Sequence, residues 1–141
     1  MSLEVNKAVL QRLADEKLRD AKILLHQKAA SNAYYLAGYS VEMALKACIA
    51  KNFKSDTIPD KDLVRDTYSH NLKNLVATAD LQSTMLAKQK ANQLFAAYWA
   101  VVNLWNPESR YTAATQIQAA EIITAIEDSS NGVLPWIKQH W

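Results

Sequence analysis

The chain has 141 residues, 50% of them apolar and 21% charged, which is typical of one globular domain built around one core. It contains only two glycines and three prolines, too few turn-forming residues for an all-β protein of this length. The formal net charge of +2 is too small for the large overall positive charge of a strongly basic nucleic-acid-binding protein, although it is compatible with a local basic patch. We therefore predict a single helical domain over residues 1–141.

The N-terminal region predicts a helix without a targeting segment. Residues Met1–Lys7 lack the apolar stretch of a signal peptide, and no apolar run reaches the length of about 18 residues that a membrane span needs. A single cysteine, Cys48, excludes an intramolecular disulfide. Together these features predict a cytoplasmic protein with no membrane contact. Between Leu3 and Gln27, apolar residues recur at the spacing of an amphipathic helix.

The next segment, Ala33–Phe53, is the most apolar of the predicted helices. Its first four turns carry only two charged residues, Glu42 and Lys46, and a helix that is apolar nearly all round belongs in the middle of a bundle. These two residues are four apart with the acid first, the better orientation for an ion pair. Because buried charges need partners, we interpret them chiefly as a structural pair. Alternatively, Glu42 also reaches the following connector and orients Arg65 or His70.

Residues 54–69 form a polar connector that is long for a structureless loop, and its middle, Asp60–Val64, could form a helical turn. The connector brings Arg65 to within five residues of His70. An arginine can hold phosphate oxygens, and a histidine can transfer protons to or from a ribose hydroxyl. Such a pair could cleave RNA without a metal. Spacing alone, however, favours a structural interpretation. In it, Arg65 is a solvated loop residue, and His70 lies at the start of a helix and forms a hydrogen bond with the backbone.

The rest of the chain predicts further helices. Ser69 can cap the first of them, and the residue before Pro107 ends the longest. In chain order, these helices are Asn71–Ala79, Thr84–Trp105, a helix starting at Thr112 or Thr115, and Leu134–His140. The predicted fold is an all-α, up-and-down bundle of four to five helices.

The turn after the longest predicted helix carries an arginine between aromatic residues. Arg110 and Tyr111 follow Trp105 closely, and an arginine in such a setting can stack on a base or bind a phosphate. It can equally pin the turn by hydrogen bonding to carbonyl oxygens, which is the interpretation we favour from spacing alone.

The histidines and glycines argue against a metal or a phosphate loop. His26, His70 and His140 lie far apart, and none has a second ligand at helical spacing. The two glycines, Gly38 and Gly132, are isolated, so a glycine-rich phosphate loop cannot form. We predict no metal and no cofactor.

Three segments of the chain together resemble the HEPN family, the higher eukaryotes and prokaryotes nucleotide-binding domain. Tyr35–Ala47 resembles the signature of that family's second helix, and His70–Leu75 resembles its His-x-Leu-x-x-Leu segment. Trp105–Tyr111 resembles the Arg-Tyr turn that follows one of its long helices. Each segment is short, so the specificity lies in their shared order and separations, which span most of the chain.

The resemblance implies a HEPN-like bundle that commonly forms a homodimer, and one functional branch is a metal-independent ribonuclease. Members of that branch often act as the toxin of a toxin–antitoxin pair, with a composite site at the dimer interface. Their catalytic element is an arginine, a polar residue and then a histidine. Arg65, Asp66 and His70 fit this pattern, with Arg65 holding phosphate, Asp66 orienting and His70 acting as general acid and base.

The other branch that the resemblance implies is non-catalytic. Such a module accompanies a small nucleotidyltransferase, which would act as the antitoxin, or binds a nucleotide or RNA. The residues of this chain that would contact the nucleotide or RNA are Glu42, Lys46, Arg110 and Tyr111.

Overall fold

The computed structural model describes residues 4–141, which form eight α-helices and a short 3₁₀ helix but no strand. The predicted all-helical bundle is therefore confirmed, whereas the predicted number of four to five helices is too low for these residues. The α-helices are α1 (Lys7–His26), α2 (Ala30–Lys51), α3 (Lys61–Thr67), α4 (Leu72–Thr78), α5 (Gln82–Ala91), α6 (Gln93–Asn103), α7 (Gln116–Glu127) and α8 (Val133–Lys138). The 3₁₀ helix is Pro107–Tyr111. Leu3, the predicted start of the first helix, lies outside the described residues.

Helix α2 lies at the centre of the bundle, as its apolar sequence predicts. It packs against α1, α4, α7, α8 and the 3₁₀ helix. Its buried residues begin at Ala33 and continue through Ile49, and every position between them is buried or half-buried. This helix is therefore surrounded on most sides, and the few polar groups that it carries must find partners inside the protein.

Helices α1 and α2 form an antiparallel pair with the largest helix–helix contact in the fold. Ala14 and Ala21 of α1 are fully buried, and small side chains at a helix contact allow the two axes to approach closely. The hydroxyl of Ser40 donates a hydrogen bond of 2.7 Å to the carbonyl oxygen of Ala14. This bond satisfies a buried hydroxyl at the middle of the contact.

The polar connector contains a helix and is not an open loop. Asp60 caps α3 by accepting hydrogen bonds from the amides of Asp62 and Leu63. The predicted cap of the next helix, Ser69, is wrong. Asn71 caps α4 through the amide of Asn74, while the hydroxyl of Ser69 accepts a hydrogen bond from the amide of Asn71. Asparagine is as good a cap as serine, and Asn71 directly precedes Leu72, the first residue of α4.

The predicted long helix Thr84–Trp105 is two helices, α5 and α6, because the backbone leaves the helical region at Asn92. That residue has φ −143° and ψ 101°. Its side-chain oxygen caps α6 through the amide of Phe95, and its nitrogen donates to the side-chain oxygen of Asn131 at 2.7 Å. The break interrupts the backbone hydrogen bonds of a continuous helix, and the cap and the long-range hydrogen bond compensate for them.

The C-terminal part follows the prediction closely. Of the two predicted starts, Thr115 begins α7 with a reciprocal capping box to Gln118. Helix α8 is two residues shorter than predicted at its C-terminal end, where the predicted limit was His140. Among residues 4–141, no helix is long and apolar enough to cross a membrane.

Candidate functional site

Glu42 is fully buried on α2 and has two partners. Its Oε2 accepts a hydrogen bond from the ammonium of Lys46 at 3.2 Å and lies 3.1 Å from Nδ1 of His70. The side chain of Lys46 is 13% exposed and that of His70 is 54% exposed. Glu42 therefore forms the helix-internal pair with Lys46 and also reaches the residue that follows the connector.

The contact with Glu42 fixes the orientation of the His70 ring. A carboxylate beside Nδ1 favours the tautomer that carries its proton on that nitrogen. Nε2 is then the free nitrogen of a half-exposed ring. An imidazole held in this way is positioned to exchange a proton with a ligand. The same contact also fastens the start of α4 to α2, which is a purely structural role.

Arg65 and Asp66 form an ion pair with each other, whereas His70 pairs with Glu42. The guanidinium of Arg65 forms ion pairs of 3.2 Å with Asp62 and with Asp66, and its side chain is 71% exposed. Arg65 and Asp66 line a shallow pocket of about 310 Å³ with Ser69, and His70 is not part of its lining. Two carboxylates thus offset the charge with which Arg65 would hold a phosphate.

Arg110 has a different environment, on the 3₁₀ helix. Its guanidinium carbon lies 4.7 Å from the centre of the Tyr111 ring, within the range of a cation–π contact. The hydroxyl of Tyr111, followed by that of Tyr35, raises the pKa of Arg110 above its ordinary value. In residues 4–141, no carboxylate lies within ion-pair distance of this guanidinium. Arg110 is thus an exposed cation on an aromatic surface.

An aromatic cluster that the sequence analysis missed supports this arginine. The rings of Tyr35 and Tyr39 lie 5.7 Å apart, and each lies 6.2 Å from the ring of Trp105. The indole nitrogen of Trp105 donates to the carbonyl oxygen of Tyr35 at 3.1 Å. A side-chain carbon on Gly38 would lie 2.2 Å from the indole ring. The signal in the sequence was this lone glycine inside a helix, between tyrosines one turn apart.

One face of α2 carries both groups of residues. Tyr35, Tyr39, Glu42 and Lys46 follow one another at spacings of four, three and four residues, which places them in a row along the helix. Burial is the main cause that raises the pKa of Tyr39, and Glu42 adds to it while the positive charge of Arg110 opposes it. The aromatic surface and the buried carboxylate are therefore electrostatic neighbours.

Two further titratable groups lie outside this face. Burial raises the pKa of the Cys48 thiol to about 11, and the thiol is 2% exposed. Burial and the nearby charge of Lys51 lower the pKa of His140, whose ring packs edge-on against Trp136 with centres 5.0 Å apart. Within residues 4–141, no three side chains of the metal-binding types cluster closely enough to hold an ion.

Comparisons of this chain with protein-family models, curated proteins and solved structures find no match. The resemblance to the HEPN family rests on the three sequence segments.

Proposed function

We propose that this chain is a HEPN-type helical module that binds RNA or a nucleotide without cleaving it. In this proposal Arg110 holds a phosphate and Tyr111 stacks on a base. The observation that supports it is the contrast between the two arginines. Arg65 is engaged by two aspartates, whereas Arg110 lies against an aromatic ring.

The chemistry of the Arg110 surface fits such a ligand. A guanidinium presents a planar set of donors that matches the oxygens of a phosphate. The Tyr111 ring is 73% exposed, and stacking on an aromatic ring tolerates any base. Lys17, whose ammonium lies 5.3 Å from the Tyr39 ring centre, adds a second cation to the same region. Glu42 and Lys46 lie on the same face of α2 as Tyr35 and Tyr39.

A matched pair of arginine variants tests this proposal. We expect Arg110→Met to weaken binding of a fluorescent single-stranded RNA about tenfold or more, since it removes a charge-assisted hydrogen bond. Arg65→Met removes the same charge from an ion-paired site and should leave the affinity unchanged. Fluorescence anisotropy in EDTA measures both. Equal losses in the two variants, or no RNA binding by the wild type, would contradict the proposal.

We also propose that the module acts in an assembly, as a homodimer or together with a small nucleotidyltransferase-type antitoxin. Leu104 and Ile117 are exposed apolar residues on either side of the Arg110 turn in sequence, 76% and 71% exposed respectively. A partner that covers both side chains would remove this apolar surface from water. Light scattering of the purified chain, alone and with that partner, would distinguish a monomer from either assembly.

A metal-independent ribonuclease toxin is the second candidate, because Glu42 holds Nδ1 of a half-exposed His70. In that reading His70 is the general acid and base, Arg65 holds phosphate and Asp66 orients it, with two such sets meeting in a homodimer. The test is cleavage of a structured RNA in excess EDTA by the wild type and by an Arg65→Ala/His70→Ala double variant. We expect neither to cleave; cleavage by the wild type alone would establish the ribonuclease and overturn the binding-only proposal.

A further inference from the structure

An apolar pocket near the surface lies between α1, α2 and α3, and neither Arg110 nor His70 lines it. Its volume is about 650 Å³, within the range of small-molecule sites. Helices α1, α2 and α3 each contribute to its wall, through Leu13, Met43 and Val64 among others. The pocket therefore lies between the connector helix α3 and the α1–α2 pair.

The rim of this pocket is unusually apolar for a surface. Val5, Phe53 and Tyr68 line it, and they are 59%, 37% and 75% exposed. Three exposed large apolar side chains thus surround one concave site. Apolar groups that concentrate at a concavity, unlike those scattered singly, indicate a place where another molecule is bound.

The charged groups of the pocket all have the same sign. Lys7 and Lys46 line it, and no aspartate or glutamate does. Glu42 balances the charge of the Lys46 ammonium and uses one of its three donors, so Lys46 offers a ligand two further hydrogen bonds and Lys7 provides the unbalanced positive charge. Within residues 4–141, Lys7 has no carboxylate at ion-pair distance. A ligand that complements this pocket is therefore an anion with an apolar body.

We infer that the pocket between α1, α2 and α3 binds an amphipathic carboxylate, with its aliphatic chain against Leu13 and Met43 and its carboxylate at Lys46 and Lys7. The apolar walls supply affinity that grows with the length of the chain. The lysines select the charged headgroup over a neutral one. Arg110, Tyr111 and Lys17, which are proposed to contact RNA or a nucleotide, lie outside the lining of this pocket, so its test does not depend on the proposed function.

The test uses octanoate and its neutral counterpart 1-octanol as probes in a heteronuclear NMR titration. We expect octanoate to shift the amide signals of pocket residues, and 1-octanol to bind about tenfold more weakly, because it lacks the charge-assisted hydrogen bond. Equal affinity for the two probes, octanoate shifts that map elsewhere, or no binding of octanoate would overturn the inference.

Substitutions on α2 test whether octanoate binds in the pocket or elsewhere on the chain. Lys46→Met should lower octanoate affinity about tenfold, whereas Lys51→Met, on the same helix but outside the pocket lining, should not. If Lys46→Met fails to fold, Ala50→Leu, which fills the pocket, should abolish binding while the amide spectrum stays dispersed. Unchanged affinity in Ala50→Leu would overturn the inference. The inference would also be overturned if the wild type is a dimer that Phe53→Asp dissociates, because a second copy of the chain would then cover the pocket.

Discussion

At the scale of single residues, Glu42 combines full burial with two partners on one oxygen. We expect Glu42→Gln to lower the free energy of unfolding by about 2–3 kcal/mol, because it removes the counter-charge of a nearly buried ammonium while keeping the shape of the side chain. Urea unfolding followed by circular dichroism measures the change. Adding Lys46→Met should restore part of the loss, since the unpaired ammonium is then gone. A Glu42→Gln variant that unfolds at the wild-type urea concentration would contradict this account.

His140 gives a prediction for the dependence of stability on pH. Its pKa is lowered in the folded protein, by burial and by Lys51, so the unfolded chain binds the proton more readily. The folding stability that depends on a neutral His140 is therefore present above about pH 6.5 and decreases as the pH falls below that value. We expect the melting temperature to fall less between pH 7.5 and pH 5.5 in His140→Gln than in the wild type. His26→Gln, at an exposed position, is the control and should keep the wild-type pH dependence.

At the scale of elements, the contact between α2 and the residues after α6 depends on Gly38. Replacing a glycine inside a helix by alanine usually stabilises by about 1 kcal/mol. Here the new methyl group would lie 2.2 Å from the Trp105 ring, so we expect Gly38→Ala to destabilise by about 2 kcal/mol through overpacking. In a Trp105→Ala background the same substitution should become stabilising. Urea unfolding of the four proteins measures this reversal, and its absence would show that the ring does not set the requirement for glycine.

The helices and their contacts also show which features the sequence could predict and which it could not. The apolar runs of α1 and α2 predicted helices in the right places, because helical periodicity is a property of each segment alone. The break at Asn92 was missed because it depends on Asn131, a partner 39 residues away. For the site, the four-residue spacing indicated the Glu42–Lys46 pair, whereas the aromatic cluster needs Trp105 to meet Tyr35 across the fold. Spacing cannot show such contacts.

At the scale of the whole molecule, Cys48 reports on opening of the core. It lies on α2 with 2% exposure, and its pKa of about 11 keeps the thiol protonated at pH 8. We expect a thiol reagent to label Cys48 at least about a hundredfold more slowly in native buffer than in urea, because reaction requires the bundle to open. A Cys48→Ser protein provides the baseline. Labelling at the same rate in both solvents would mean that α8 does not cover this thiol.

The central position of α2 also has a consequence for the order of events during translation. Cys48 of α2 contacts the carbonyl oxygen of Ile137 in α8, 89 residues later. A ribosome therefore releases α1 and α2 long before it has made the helix that closes the last side of α2. The α1–α2 hairpin can form early from local contacts, but an apolar stripe of α2 stays exposed until residues 133–138 emerge. This interval is when the nascent chain has most need of a chaperone, and a stop codon before Val133 should produce an aggregating fragment and not a smaller bundle.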